Sequence, residues 1–154
     1  MLNSDFKEFA ALLAAHGVEY LVVGGYALAA HGHPRYTGDI DFWIAPEPDN
    51  IARLLAVLAE FGFGSLGLSA ADFTADSVIQ LGHPPRRIDL LTGIDGVAFA
   101  DCWQRRETVQ MDGLALNIIG LEDFKANKRA TGRLKDLADL QALEPDRLDG
   151  SAAP

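Results

Sequence analysis

The stretch from Val22 to Ile44 reads VVGGYALAAHGHPRYTGDIDFWI and carries most of the information about the fold. It starts at the end of a short apolar segment, 19–23, whose composition predicts a buried strand. A pair of glycines, Gly24 and Gly25, ends that strand and opens a stretch of helical composition. Segment 39–45 follows, and its polar and apolar residues alternate as in a strand with one buried face. We therefore predict two strands joined through a glycine turn and a short helix.

The residue types in this stretch suit phosphate and cation binding. Glycines at a strand-to-helix turn let a phosphate approach bare backbone, and the start of the helix offers free N–H groups to an anion. Asp39 and Asp41 are two residues apart on a strand, so both carboxylates project from the same face. Such a pair repels unless a divalent cation joins the two groups. In the alternative interpretation, the glycines only make a tight turn and Asp39 is only a turn residue.

A third carboxylate is available on a later strand. Segment 87–91 is apolar except for its first residue, an arginine, and Asp89. If this strand lies beside the one that carries the first two aspartates, three carboxylates converge. Three carboxylates can hold two Mg²⁺ ions, one that activates a hydroxyl and one that holds a triphosphate. Alternatively, Asp89 forms a structural salt bridge with Arg35, Arg86 or Arg87.

Length and composition limit the classes of protein that fit. The chain has 154 residues, of which 49% are hydrophobic, enough for one domain with a hydrophobic core. Its net charge of −9 argues against a nucleic-acid coat protein and against a basic membrane binder. The single cysteine, Cys102, excludes an internal disulfide and a cysteine-rich zinc site. We expect no membrane span and no signal peptide, and hence a cytoplasmic protein.

Helical and strand patterns alternate irregularly along the chain, which predicts an α+β (mixed α/β) domain with a mixed sheet. We expect a single domain over 1–145 and a flexible tail over 146–154. An Asp-Gly pair at 112–113 predicts a type I′ hairpin. The remaining predicted elements are helices at 4–16, 26–31, 48–61, 97–104, 121–130 and 134–143, and strands at 77–81, 87–91, 107–111 and 114–119.

Together, these features resemble the DNA polymerase β-like nucleotidyltransferase superfamily. The shared pattern is an apolar strand, a glycine pair, a gap of roughly ten to thirteen residues, an Asp-apolar-Asp motif and a later acidic residue. Here the matching residues are Gly24, Gly25, Asp39, Asp41 and Asp89. The resemblance implies a nucleotidyltransferase-like mixed sheet flanked by helices, with a C-terminal helical pair. It also implies that the three aspartates are the catalytic residues and hold Mg²⁺, two ions being expected.

A closer resemblance is to small bacterial nucleotidyltransferases of the AbiEii-like and related toxin–antitoxin group. Arg35 and Thr37 match the Arg-x-Thr segment that precedes the Asp pair in that group. A C-terminal helical stretch with Lys, Arg-x-x-Asp and a further Asp also matches, in the residues Lys128, Arg133, Asp136 and Asp139. This resemblance implies transfer of a nucleoside monophosphate from an NTP, such as ATP, to a hydroxyl of a protein, an RNA or a small molecule. It implies nucleotide binding by Gly24, Gly25, Arg35, Thr37 and Lys128.

Plainer interpretations of the same polar residues stay open. Arg35 and Thr37 are equally typical of a loop, and Lys128 of a solvated helix face. Surface pairing at helical spacing accounts for Asp136 and Asp139. Trp43 shares a strand face with the first two aspartates, and it either stacks on a base or is buried under the C-terminal helices.

Two other functions and several partners also remain open. The chain is either an enzyme, a non-catalytic nucleotide- or partner-binding antitoxin-like protein, or a metal-dependent phosphoesterase. So short a chain leaves little room for an acceptor-binding domain, so a partner protein or a second copy in a homo-oligomer would complete the site. The acidic net charge disfavours unaided RNA binding, although a local cluster of basic residues near the C-terminus keeps that partner open.

Overall fold

The computed structural model describes residues 2–33, 38–84 and 86–143. The tail predicted for 146–154 lies outside the described residues, as do the predicted nucleotide-binding residues Arg35 and Thr37.

The described residues form six helices and six strands, labelled in chain order. The helices are α1 (Ser4–Ala15), α2 (Gly24–Ala30), α3 (Pro48–Leu58), α4 (Phe99–Gln104), α5 (Leu121–Thr131) and α6 (Leu134–Leu143). The strands are β1 (Tyr20–Val23), β2 (Ile40–Ile44), β3 (Val78–Leu81), β4 (Ile88–Leu91), β5 (Glu107–Met111) and β6 (Leu114–Ile118). Between α3 and β3 the chain forms short turns of π and 3₁₀ helix, Ala59–Phe63, Gly64–Leu66 and Ala70–Phe73.

All six strands join one mixed sheet in the order β3-β4-β2-β1-β6-β5. Strand β2 runs antiparallel to β1 and parallel to β4, and β1 runs parallel to β6. The two outer pairs, β3 with β4 and β5 with β6, are antiparallel. The prediction of an α+β domain with a mixed, nucleotidyltransferase-like sheet is confirmed.

One face of the sheet carries the main hydrophobic core. Phe42 of β2 points to this face, where its ring lies 5.5 Å from that of Phe9 on α1 and 5.4 Å from that of Tyr20 on β1. Leu54 of α3 is also fully buried. Each such side chain contributes roughly 1.5–3 kcal/mol when it leaves water, so this packing holds the central strands in place.

The opposite face of the central strands carries the polar residues. Because side chains alternate along a strand, Asp41 and Trp43 both point away from Phe42. Trp43 is buried, but the ring it packs against edge-on, at 5.1 Å, is that of Phe99 on α4 and not one of the C-terminal helices. This face therefore has an apolar half under α4 and a half that presents carboxylates.

The longest helix in the described ranges, α1, has 12 residues. A membrane-spanning helix needs about 20, and no helix in this part of the chain is long and apolar enough to cross a bilayer.

Candidate functional site

The parallel pairing of β2 with β4 brings the predicted aspartates together. Asp41 lies directly opposite Asp89 in the register of these two strands. Ile40 and Phe42, the apolar neighbours of Asp41 on β2, are fully buried on the opposite face of the sheet. Asp39 directly precedes β2 at the same end of the strand pair. The three carboxylates predicted to converge thus lie side by side on one face of the sheet.

Arg87, the residue before β4, lies among these carboxylates. Its guanidinium forks onto Asp89, with Nε 2.6 Å from Oδ1 and Nη2 3.1 Å from Oδ2. Nη2 is also 3.3 Å from Oδ2 of Asp39. The backbone N–H of Arg87 donates to Oδ1 of Asp39 at 3.0 Å. The salt bridge considered for Asp89 is therefore present, and it coexists with the convergence of the three aspartates.

The surroundings of Asp41 raise the pKa of its carboxyl group. The pKa of Asp41 rises from 3.8 to about 7, chiefly because burial disfavours its charged form. The charge of Asp89, a hydrogen bond with Asp89 and the charge of Asp39 raise this pKa further, while Arg87 lowers it. This direction is the one expected for a buried carboxyl that has two further carboxylates beside it.

The chemistry of the donors suits a hard divalent cation. Carboxylate oxygens are the ligands that Mg²⁺ prefers, and an added positive charge would favour the ionised form of Asp41, which burial and the neighbouring carboxylates disfavour. As the side chains stand, no group of three or more His, Cys, Asp or Glu residues within 2–33, 38–84 and 86–143 is arranged to hold a metal ion. At this cluster the oxygens of Asp39 and Asp89 are contacted by Arg87 instead.

Gly24 borders the cluster, and only glycine fits its position. Its φ of +69° lies in the left-handed region, which favours glycine. A Cβ atom added there would also overlap with Oδ2 of Asp41. Gly25 follows as the second residue of α2. The glycine at position 24 thus makes room for the approach of the Asp41 carboxylate.

A cavity of about 400 Å³ opens beside Gly24 and Asp41 and reaches to α5. It unites these two predicted residues with Lys128, which also lines it. The wall is completed by neighbours of these residues along the chain and by the loop after β4, namely Val23, Leu91, Gly93, Ile94, Asp95, Asn127, Thr131 and Arg133. The cavity is therefore lined by two acidic side chains, Asp41 and Asp95, and by two cationic ones, Lys128 and Arg133.

Lys128 is not a solvated lysine of a helix face. Its side chain is 8% exposed, and Nζ lies 3.1 Å from Oδ1 of Asp136 and 3.2 Å from Oδ2 of Asp139. The two carboxylates come from α6 and are themselves buried. The interpretation of Asp136 and Asp139 as a surface pair is therefore wrong, because α6 turns its acidic face inward to neutralise Lys128.

The pKa of Asp136 reflects this role. Burial raises it, but hydrogen bonds from Arg133, Thr131 and Lys128 together outweigh burial, so the pKa lies well below the usual value. Arg133 holds the same carboxylate with Nε 2.7 Å from Oδ2. Asp136 is thus a permanently ionised anchor between α5 and α6.

The loop after β4 forms a wall of the cavity that sequence reasoning did not identify. Asn127 of α5 donates from Nδ2 to the backbone oxygen of Asp95 at 2.9 Å and so ties this loop to the helix. The one available indication in the sequence was position, since residues 93–95 directly follow the carboxyl end of a strand that carries a candidate carboxylate. Ligands of open α/β sheets bind beyond such ends.

A family model described as "Nucleotidyl transferase of unknown function (DUF2204)" matches residues 3–149. No curated protein sequence matches the chain.

Two solved structures have a similar chain path. A candidate nucleotidyltransferase from Thermotoga maritima aligns with a TM-score of 0.61 at 15% identity, over 92% of this chain and 91% of that chain. At this identity the likeness establishes the fold alone. ANT(2″)-Ia, solved in complex with adenylyl-2″-tobramycin, aligns with a TM-score of 0.45 at 12% identity, over 92% of this chain and 96% of that chain. The second likeness is too weak to bear on function.

Proposed function

Because the chain belongs to this family of nucleotidyl transferases, we propose that it transfers a nucleoside monophosphate from an NTP to an acceptor hydroxyl in the presence of Mg²⁺. The observation that carries the proposal is the register that sets Asp41 opposite Asp89. Asp41 lines a cavity that Lys128 and Arg133 also line, and Asp39 and Asp89 lie beside Asp41. A triphosphate with its cation has the charge distribution that fits such a cavity.

The proposed metal ligands are Asp39, Asp41 and Asp89, and the expected number of ions is two. When bound, Mg²⁺ would neutralise phosphate charge and favour ionisation of the acceptor hydroxyl. Asp89 is 8% exposed and lies at the centre of the strand pair, so its orientation is held by β4. We assign to it the additional role of accepting the proton of the hydroxyl.

The transfer itself makes one bond and breaks one. The acceptor oxygen bonds to the α-phosphorus, the bond from that phosphorus to the bridging oxygen of the β-phosphate breaks, and pyrophosphate leaves. No covalent intermediate with a side chain is needed, so the protein acts by positioning and by neutralising charge.

The triphosphate is assigned to the glycine turn and to Lys128. The backbone at Gly24 and Gly25 lacks side chains, so a phosphate can come close to it. An ammonium group carries three donors, so Lys128 can hold Asp136 and Asp139 with two N–H groups and direct another into the cavity it lines. Arg35 and Thr37 are proposed to bind the nucleotide as well, on the strength of the sequence alone.

The acceptor is proposed to be a hydroxyl of a protein, an RNA or a small molecule, within a toxin–antitoxin pair. A partner protein or a second copy of the chain would supply the surface that positions it. The test includes all four NTPs.

The test measures binding and turnover of each NTP with Mg²⁺, by isothermal titration calorimetry and by release of pyrophosphate. The variant is Asp41→Asn, which keeps the shape of the side chain, and the matched control is Asp5→Asn, exposed on α1. We expect one NTP to bind the wild type and the control, and Asp41→Asn to lose Mg²⁺-dependent binding and turnover.

Other outcomes would identify the alternatives. Nucleotide binding without pyrophosphate release, even with candidate partners added, would indicate a non-catalytic binding protein. Release of phosphate from a simple phosphoester, without pyrophosphate from any NTP, would indicate a phosphoesterase. A folded wild type that binds no NTP would contradict the proposal.

A further inference from the structure

Arg87 contacts every carboxylate oxygen of two of the three clustered aspartates. Both oxygens of Asp89 receive the guanidinium fork, at 2.6 and 3.1 Å. Of the two oxygens of Asp39, Oδ1 accepts from the backbone N–H of Arg87 at 3.0 Å and Oδ2 lies 3.3 Å from Nη2. Each of these four oxygens therefore has Arg87 as a partner, three of them through the guanidinium and one through the backbone N–H.

These are the oxygens that a divalent cation would need. A guanidinium has five N–H donors and no acceptor, and it stays charged at any ordinary pH. It therefore cannot share the same lone pairs with a metal ion, and its charge repels that ion at short range. The contacts agree with the finding that no group of three such side chains in the described ranges is arranged to hold a metal.

The position of Arg87 lets its side chain leave. The residue precedes β4, at the end of the loop after β3, and its side chain is 24% exposed. Its backbone contact with Asp39 comes from the main chain and does not depend on where the guanidinium lies. The side chain can thus turn toward solvent while β4 keeps its place in the sheet.

We propose that Arg87 is a displaceable counter-ion, which holds Asp39 and Asp89 when no cation is bound and must turn away before a divalent cation can bind there. This inference rests on the proposed function, since it takes the aspartates as metal ligands. It adds that a cation does not bind to these two aspartates while the guanidinium of Arg87 contacts them. Arg87 then lowers the affinity for the bare cation and stabilises the metal-free fold.

The test titrates Mn²⁺ alone, without nucleotide, into wild type, Arg87→Gln and Arg86→Gln by isothermal titration calorimetry. Arg86 is the matched control because it is the adjacent arginine and is exposed, so its variant has the same net charge. We expect Arg87→Gln to bind Mn²⁺ about tenfold more tightly than the wild type or more. Arg86→Gln should stay within about twofold, as expected for an exposed and screened charge.

A second measurement needs only the wild-type protein. The Nε–H resonance of Arg87, assigned in the wild type by through-bond correlation to the backbone of Arg87, should report the hydrogen bond to Asp89 in metal-free protein. On saturation with Mg²⁺ we expect this resonance to shift and to exchange with solvent.

A third measurement compares unfolding temperatures. In EDTA, Arg87→Gln should unfold at a lower temperature than Arg86→Gln. Addition of Mn²⁺ should raise the unfolding temperature of Arg87→Gln more than that of the wild type.

The outcomes separate the two proposals. Equal or weaker Mn²⁺ binding by folded Arg87→Gln, with binding by the wild type intact, would overturn the competition and leave the proposed function standing. An unchanged Nε–H resonance at saturating Mg²⁺ would also overturn the competition and leave the proposed function standing, even if the variant failed to fold. Failure of both the wild type and folded Arg87→Gln to bind Mn²⁺ would overturn the competition together with the assignment of the aspartates to a metal.

Discussion

Replacing Asp41 by asparagine should stabilise the metal-free protein at alkaline pH. The pKa of this carboxyl rises from 3.8 to about 7 on folding, chiefly through burial and then through Asp89 and Asp39. A pKa difference of about 3 between the folded and unfolded states corresponds to about 4 kcal/mol at most. Because the asparagine side chain carries no charge and can still donate to Asp89, we expect Asp41→Asn to gain about 2–4 kcal/mol at pH 8.

The sign of the pH dependence follows from the direction of the shift. The folded-state pKa of Asp41 lies above the unfolded-state value, so the folded protein binds more protons between about pH 4 and pH 7. The free energy of unfolding of the wild type therefore falls as the pH rises through this window and levels off above it. Asp41→Asn does not lose stability in this way. The difference in unfolding free energy between Asp41→Asn and the wild type should therefore be less than about half as large at pH 5 as at pH 8.

The assay is urea unfolding in EDTA, followed by circular dichroism at pH 8 and pH 5. With a typical slope of about 2 kcal/mol per molar urea, the midpoint of Asp41→Asn should lie about 1–2 M above that of the wild type at pH 8. Asp5→Asn, exposed on α1, should stay within about 0.5 kcal/mol. An Asp41→Asn protein that is no more stable than the wild type at pH 8, or a gain equal at both pH values, would refute the electrostatic account of this cluster.

Two further predictions concern other parts of the site, and a third concerns the buried cysteine of α4. Lys128→Met should cost about 3–5 kcal/mol in urea unfolding, because it removes the buried cation that contacts both Asp136 and Asp139, and a loss under about 1 kcal/mol would contradict this. Gly24→Ala should cost about 1–3 kcal/mol and weaken NTP binding in calorimetry, because the added Cβ meets the Asp41 carboxylate at a positive φ. Cys102 is fully buried, and burial first, with Asp123 second, raises its pKa to about 12, so iodoacetamide at pH 8 should leave it unmodified in the native protein, as checked by mass spectrometry.

The local elements could be predicted from the sequence because their determinants are local. The Asp112-Gly113 pair adopts positive φ at both residues, 53° and 82°, as its chemistry requires. Helix α3 ends near Leu58, short of the predicted Phe61, because the chain continues as a π turn through Gly62 at a φ of +101°. Boundaries of this kind depend on packing of the following loop, which the periodicity of the helix does not contain.

The candidate site was predictable where one strand carried it and unpredictable where two elements had to meet. Asp39 and Asp41 lie two residues apart, so a shared strand and a shared face follow from the sequence alone. Whether Asp89 joins them depends on β4 lying next to β2, and hairpin pairing of neighbouring strands would not have placed it there. The contact of Arg87 with Asp39 depends on the same pairing, whereas its fork onto Asp89 is made two residues along the same segment.

The inward acidic face of α6 was the one part of the site that the sequence misrepresented. Its apolar residues Leu134 and Leu137 are 87% and 45% exposed, whereas Asp136 and Asp139 are buried. By periodicity alone the apolar face should be buried. The helix instead buries its acidic face because Lys128 on α5 is buried beside it. Leaving a buried cation without a counter-charge costs more free energy than exposing two leucines.

The amino-acid order is enough to establish the chemistry of this protein: a glycine turn, paired carboxylates, a third carboxylate in an apolar strand, and the alternation of strands and helices that makes an α+β domain. Which charges meet is a property of the folded chain. Register sets Asp41 against Asp89, the end of β4 sets Arg87 among the carboxylates, and the packing of α5 on α6 sets Lys128 against Asp136. The two differ because backbone preference and periodicity act over a few residues, whereas Coulomb energy and desolvation depend on distances between segments that only folding brings together.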